Sequence, residues 1–183
     1  MTRFLQIAAN VDPLAVRLEL ERAPHLWDAN PTRRLYPGTP HGAMTDITVR
    51  YMAEDQLTSL DVRKREHRNV FWPAWHALPS LRPVVFGLMA RVQAVELGSI
   101  LITRLPPGGV IAPHSDAGSW APEWYNCKAH WTIAGASIST CEDEDCIQRA
   151  GEIWTFDNLL VHSVSATGPE DRIAVIVSMR CEA

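Results

Sequence analysis

The stretch "SILITRLPPGGVIAPHSD", residues 99–116, decides the fold. It begins as a short apolar, β-branched run, breaks at Pro-Pro-Gly-Gly and resumes as a second short run. That is the pattern of two strands about a turn. The same pattern continues to the end of the chain. "NCKAHWTIA", "ASISTC", "EIWTFDN", "LVHSVSA" and "RIAVIVSMR" are short and β-rich, and turn signals such as "RAGE" and "TGPED" separate them. Strands this short and this closely spaced predict a barrel or sandwich in the second half.

The first half reads differently. "LPSLRPVVFGLMARVQAV" is the strongest helix, with Pro83 near its start and Val85, Leu88 (or Met89) and Val92 at helical spacing. "VDPLAVRLELERA" alternates in its middle as a strand would. Its Leu, Glu and Arg content favours a helix, with Asp12 as N-cap and Pro13 as first helical residue. "NPTRRLYPGTPHG" reads as loop and "MTDITVRYM" as a strand. The expected fold class is α+β: a jelly-roll core with helices from the N-terminal half packed on one face. A single domain, 1–183, is expected. Residues 1–95 would give the N-terminal helices and further strands, and 96–183 the β core.

Composition narrows the function. The 183 residues are 46% hydrophobic and 21% charged, with a formal net charge of -4. A nucleic-acid partner would call for a basic balance. No apolar run approaches the ~20 residues of a membrane span, and the N-terminal apolar stretch is too short for a secretory signal. The expectation is a cytoplasmic protein with neither nucleic acid nor membrane as partner. Cys127, Cys141, Cys146 and Cys181 form no C-x-x-C pair, and "CEDEDC" fits no common zinc pattern, so reduced thiols are expected.

The chemistry gathers at "HSD". On a strand, His114 and Asp116 share one face. Forty-eight residues later His162 falls on or beside another strand. Two imidazoles and one carboxylate hold a divalent iron and leave one face of its sphere open. Ten residues further on, Arg172 opens a strand. A guanidinium beside such a site can clamp a carboxylate with two parallel hydrogen bonds.

These residues resemble the aspartyl/asparaginyl β-hydroxylases among the iron- and 2-oxoglutarate-dependent oxygenases. The resemblance covers roughly residues 97–180. It rests on "LPPGGVIAPHSD", "KAHWTI", "AGEIWTFDNLLVHSVSA" and "DRIAVIV". It implies a double-stranded β-helix, cupin-like core, with His114, Asp116 and His162 as iron ligands and Arg172 as the holder of 2-oxoglutarate. It also implies co-substrate roles for Lys128 and His130, where the family has Arg-x-His, and a place for Thr103 in the same pocket. Retention of Asp116 makes the chain more like the family's bacterial members, which include hydroxylases of free amino acids, than like its animal peptide hydroxylases.

Other residues have blander readings beside functional ones. Asp157 reads as a structural turn residue or as a carboxylate that accepts the other N–H of a ligand histidine. Arg33, Arg34, His41, Asp46 and Arg50 either solvate a loop or reach over the barrel mouth to a substrate, with His41 and Arg50 the stronger candidates. "RKREHR", residues 63–68, reads as a solvated charged face. Trp120 and Trp124 are candidates for a lid or pocket wall that keeps water from a reactive centre. Together these readings predict a dioxygenase using Fe(II), 2-oxoglutarate and O2. It would hydroxylate an unactivated C–H bond of an amino acid or a peptide or protein side chain, releasing succinate and CO2. The alternative is a cupin-type metal protein or enzyme that does not use 2-oxoglutarate.

Overall fold

A computed structural model describes residues 2–31, 33, 39–56 and 64–182. Its strands are β1 (Phe4–Ala8), β2 (Thr45–Met52), β3 (Asn69–Phe71), β4 (Ala94–Leu105), β5 (Val110–His114), β6 (Cys127–Ala134), β7 (Ala136–Cys141), β8 (Glu144–Arg149), β9 (Ile153–Phe156), β10 (His162–Ala166) and β11 (Arg172–Cys181). The helices used below are α1 (Leu14–Arg22), α2 (Ala74–Ala77), α3 (Leu81–Arg91) and α4 (Trp120–Trp124).

The strands form two antiparallel sheets. The larger runs β1-β9-β6-β11-β4-β2-β3 and the smaller β5-β10-β7-β8. Alternation along β11 shows how they divide the work. Ile173, Val175, Val177 and Met179 turn to one face and join the main apolar core with Val16 and Leu20 of α1 and Leu81, Val85 and Leu88 of α3. Arg172, Ile176 and Ser178 turn the other way and line a cavity with Ile111 of β5 and Val164 of β10. The helices therefore cover the outer face of the larger sheet, and the space between the sheets is left for chemistry. This is the expected double-stranded β-helix with helices on one face.

The Pro-Pro-Gly-Gly turn behaves as read. Gly108 has φ +71°, a left-handed conformation that residues with a Cβ avoid, and the Gly109 N–H donates to the Pro106 carbonyl at 2.8 Å. It reverses β4 into β5 and carries the chain from the larger sheet to the smaller.

Some details differ from the sequence reading. Helix α1 starts at Leu14, with Pro13 as its N-cap. Asp12 does accept the Leu14 N–H at 2.9 Å, so the carboxylate engages the first turn from one residue further out. Strands β1, β3 and β8 were not anticipated, nor was the short helix α4. Residues 32 and 34–38 of the expected loop "NPTRRLYPGTPHG", Arg34 among them, lie outside the described residues, as does Arg63. All four cysteines are free. Among the described residues no helix is long and apolar enough to cross a membrane.

Candidate active site

Antiparallel pairing of β5 with β10 makes His114 and His162 Cα partners. Their rings stand side by side with centroids 4.3 Å apart. Each is oriented by a backbone carbonyl two residues earlier: Nδ1 of His114 lies 2.8 Å from the Ala112 oxygen and Nδ1 of His162 lies 2.9 Å from the Leu160 oxygen. A carbonyl only accepts, so both Nδ1 atoms carry the proton and both Nε2 lone pairs are left for a cation. Asp116 follows β5 by two residues. Its N–H donates to the Asn158 carbonyl at 3.1 Å, and Asn158 Nδ2 donates back to Asp116 Oδ2 at 3.0 Å. Lys128 Nζ donates to the same Oδ2. Oδ1 faces His114 Nε2 at 3.9 Å. One donor atom from each of His114, Asp116 and His162 lies within 4.8 Å of the other two.

The electrostatics suit a cation. Burial alone would raise the Asp116 carboxyl, but the charge and hydrogen bond of Lys128, then His162 and the Asn158 hydrogen bond, outweigh it. The group is held well below the usual carboxylate range. Burial pushes the His162 imidazole down, which favours its neutral, ligating form.

Beside this group opens a cavity of about 400 Å³. Arg172, on the inner face of β11, is 1% exposed. Its Nη1 donates to Thr103 Oγ1 at 3.2 Å, while its Nε and Nη2 are buried without a partner. Burial pushes the guanidinium down to about 10. His130, also on the wall, is buried with Nε2 unpartnered. Its burial, with the nearby Lys128 and Arg172 charges, holds the imidazole well below its ordinary value. Thr103 is not itself on the wall; it stands behind it and supports Arg172. A pocket with four unsatisfied buried polar atoms, these three and His41 Nδ1, is one built to take a polar guest.

The other sequence candidates divide. His41 lines the cavity, its ring edge-on to that of His114 with centroids 5.3 Å apart. Lys128 lines it too, but its ammonium is on Asp116, so its partner is the carboxylate rather than Arg172 or His130. Arg50 is not on the wall. The β2–β4 register shifts between Thr48 and Arg50, so Arg50 stands opposite Ile100, a residue of the helix-side core. There it donates to the Gly98 carbonyl at 2.6 Å and lies over the Phe71 ring. Trp120 and Trp124 do not line the cavity either. Helix α4 gives it Ala121 and Pro122. Trp120 packs edge-on against His67 at 5.0 Å and so supports a wall residue from behind. Trp124 donates to Glu96 at 3.0 Å and lies under Arg180.

Three wall or shell residues were not singled out. Asn158, not Asp157, orients the carboxylate; Asp157 accepts the Leu159 N–H at 3.0 Å and shapes the turn. His67, inside the basic run "RKREHR", is buried on the cavity while Lys64, Arg65, Glu66 and Arg68 are exposed. Tyr51 reaches the wall on the side of β2 that the register shift took from Arg50. An Asn between an Asp and an apolar run offers a sequence signal only in retrospect, and the bulge offers none.

A family model described as aspartyl/asparaginyl beta-hydroxylase matches residues 74–181, more than half of the chain. The chain belongs to this family. It is therefore an oxygenase of the hydroxylating kind, and the matched residues include His114, Asp116, His162 and Arg172. No curated protein matches the sequence. Among solved structures it is similar to an oxidoreductase of the 2OG-Fe(II) oxygenase family from Burkholderia pseudomallei. That likeness has a TM-score of 0.54 and 10% identity, and covers 75% of this chain and 66% of that one. It is also similar to a predicted oxalate decarboxylase from Thermotoga maritima (TM-score 0.38, 20% identity, 46% of this chain and 67% of that). A cupin superfamily protein from Desulfitobacterium hafniense matches with TM-score 0.36 and 7% identity, over 45% of this chain and 66% of that. The first likeness is one of fold, and with family membership it accounts for the two-sheet architecture around the His-Asp-His group.

Proposed function

We propose that this family member is an iron(II)- and 2-oxoglutarate-dependent dioxygenase that hydroxylates a C–H bond of an amino acid or of a peptide or protein side chain. The observation that carries the reading is Arg172: a guanidinium closed off from water, on the cavity that the His-Asp-His group opens into, with Nε and Nη2 unpaired. A dicarboxylate with one end at the metal and the other at Arg172 would satisfy both ends of the pocket.

The donor set fits such a metal. Two neutral imidazole Nε2 atoms and one carboxylate oxygen are the ligands of a non-haem iron(II) site that keeps open positions. When bound, the metal supplies the activation of O2, with 2-oxoglutarate as the reductant that leaves as succinate and CO2.

The chain's own residues do the rest. The Ala112 and Leu160 carbonyls fix the tautomers of His114 and His162. Asn158 and Lys128 occupy one oxygen of Asp116 and leave the other to the cation. Arg172, braced by Thr103, holds a carboxylate, and His130 offers Nε2 beside it. Ile111, Val164, Leu101 and Ile176 give the cavity apolar walls that exclude water.

The test is anaerobic. Fe(II) and 2-oxoglutarate are added to the protein and the visible charge-transfer band of a chelated 2-oxo acid is sought. It is expected in wild type, absent in Asp116→Ala and His162→Ala, and weakened at least about tenfold in apparent 2-oxoglutarate affinity in Arg172→Met, since a charge-assisted pair is lost. Iron binding with no band in wild type would mark the protein as a cupin-type metal protein that does not use 2-oxoglutarate.

A further inference from the structure

The N-terminal half brings a second polar group to the cavity. Arg33 and His41 both line it. Arg33 Nη1 donates to Asp46 Oδ2 at 2.9 Å, and Asp46 is itself buried on the inner side of β2. Arg33 Nη2 lies 3.5 Å from His41 Nε2.

An arginine has donors and no acceptor, so this contact exists only if His41 Nε2 accepts. The ring proton of His41 must then sit on Nδ1. That Nδ1 is shut off from solvent and has no partner among the described residues, an arrangement that costs free energy until an acceptor arrives. The ring that carries it meets His114 edge-on, which puts it at the metal-ligand end of the cavity. Asp46 orients Arg33, Arg33 sets the tautomer of His41, and His41 is left with one neutral N–H to offer.

We infer that His41 is a substrate-binding residue whose Nδ1–H receives a carbonyl or carboxylate oxygen of the substrate beside the metal centre, and that Arg33 is the positioning residue that fixes its tautomer. This rests on the dioxygenase reading above. The substrate class follows from the donors. A neutral N–H next to a guanidinium that is already matched by Asp46 takes an oxygen acceptor of either charge, acid or amide. It repels an ammonium or any other cation. The substrate therefore presents an acyl oxygen to this end of the cavity, and the C–H bond to be hydroxylated belongs to the same molecule.

Two measurements test it. In the metal-free protein, 15N spectra of labelled histidine report the His41 tautomer. Nδ1–H is expected in wild type and a mixture in Arg33→Met; an Nε2–H tautomer in wild type overturns the inference. Then, under argon with Fe(II) and 2-oxoglutarate bound, L-amino acids, their α-amides and their decarboxylated amines are titrated singly against the charge-transfer band. The probes that perturb the band should be acids or amides. Their apparent affinity should fall about tenfold or more in His41→Phe and be largely restored in His41→Asn, whose amide N–H falls near the position of Nδ1. Amines acting as well as acids, an undiminished affinity in His41→Phe, or no response to any probe overturns the inference while the dioxygenase reading stands. A wild type with no band at all defeats the dioxygenase reading instead.

Discussion

Arg172 makes no sense as a stabilising residue. Its side chain is buried, only Nη1 has a partner, and burial has already pushed the guanidinium down to about 10. Replacing buried ionic groups by well-packed apolar residues of similar volume is often neutral or stabilising by about 1–4 kcal/mol, and Arg172 has no counter-charge among the described residues to lose. Arg172→Met should therefore raise the urea midpoint of the metal-free, co-substrate-free protein while it weakens 2-oxoglutarate binding. A loss of stability instead would mean that Arg172 supports the fold. Asn158 is the opposite case. It is buried, neutral, and bonded to Asp116 through both its side chain and its carbonyl. Asn158→Ala removes the side-chain half of that cradle and leaves the backbone half. Removing a partner of a metal-ligating group typically costs about 10–100-fold in metal affinity. That loss is expected in a chelator competition with Mn(II), with little change in the fold by circular dichroism.

At the scale of elements, the site depends on one of the turns that join the two sheets. Gly135 sits between β6 and β7 with φ +63°, and a Cβ there would lie 2.7 Å from the Asp171 carbonyl oxygen. That oxygen is backbone and cannot swing aside. Gly135→Ala combines a left-handed backbone with an overpacked contact, and a loss of at least about 1–3 kcal/mol is expected in a urea melt. Because Asp171 precedes Arg172, the same substitution should weaken 2-oxoglutarate binding, whereas Mn(II) binding at His114, Asp116 and His162 should be less affected. Much of this level was legible in the sequence. The β-branched runs and their Pro and Gly breaks gave away β5, β6, β7, β10 and β11, because short β-branched runs bounded by turn residues suit a pleated strand whether one face is buried or both. What escaped did so for physical reasons. Strand β8 lies at the edge of the smaller sheet, its inward residues are Cys146 and Gln148, and its one large apolar residue, Ile147, is exposed between them, so it lacks the apolar signature. Arg50 was misplaced because a strict period of two puts it with Asp46 and Thr48, and a one-residue register shift reverses its face. His67 hid among charges that are themselves solvent-exposed.

The whole molecule divides its functional groups between its two sheets. His114 and His162 come from the smaller sheet, and Arg172, His130 and Lys128 from the larger. Asp116 leaves the smaller sheet and is gripped by Lys128 of the larger. The His-Asp-His group could be picked out from sequence because His114 and Asp116 are two residues apart and histidines are few, so that His162 could be weighed singly. At the other end of the cavity the sequence names Arg33 and His41 only among five candidates, because their roles emerge when Asp46 and His114 are brought to them by the fold. This division makes the order of ligand effects testable. A ligand that binds only the folded state stabilises it by about 2.7 kcal/mol when present at 100 times its dissociation constant. Mn(II) should raise the melting temperature of wild type, and 2-oxoglutarate added on top should raise it further. In Arg172→Met the first rise should persist and the second should shrink or vanish; in His162→Ala both should be lost. Since every ligand here acts through residues fixed in the folded chain, the rises should track concentration, and Zn(II) should reproduce the first. If 2-oxoglutarate gives its full rise in Arg172→Met, the co-substrate is held elsewhere in the cavity. Its two unpaired nitrogens would then point to a different anionic guest.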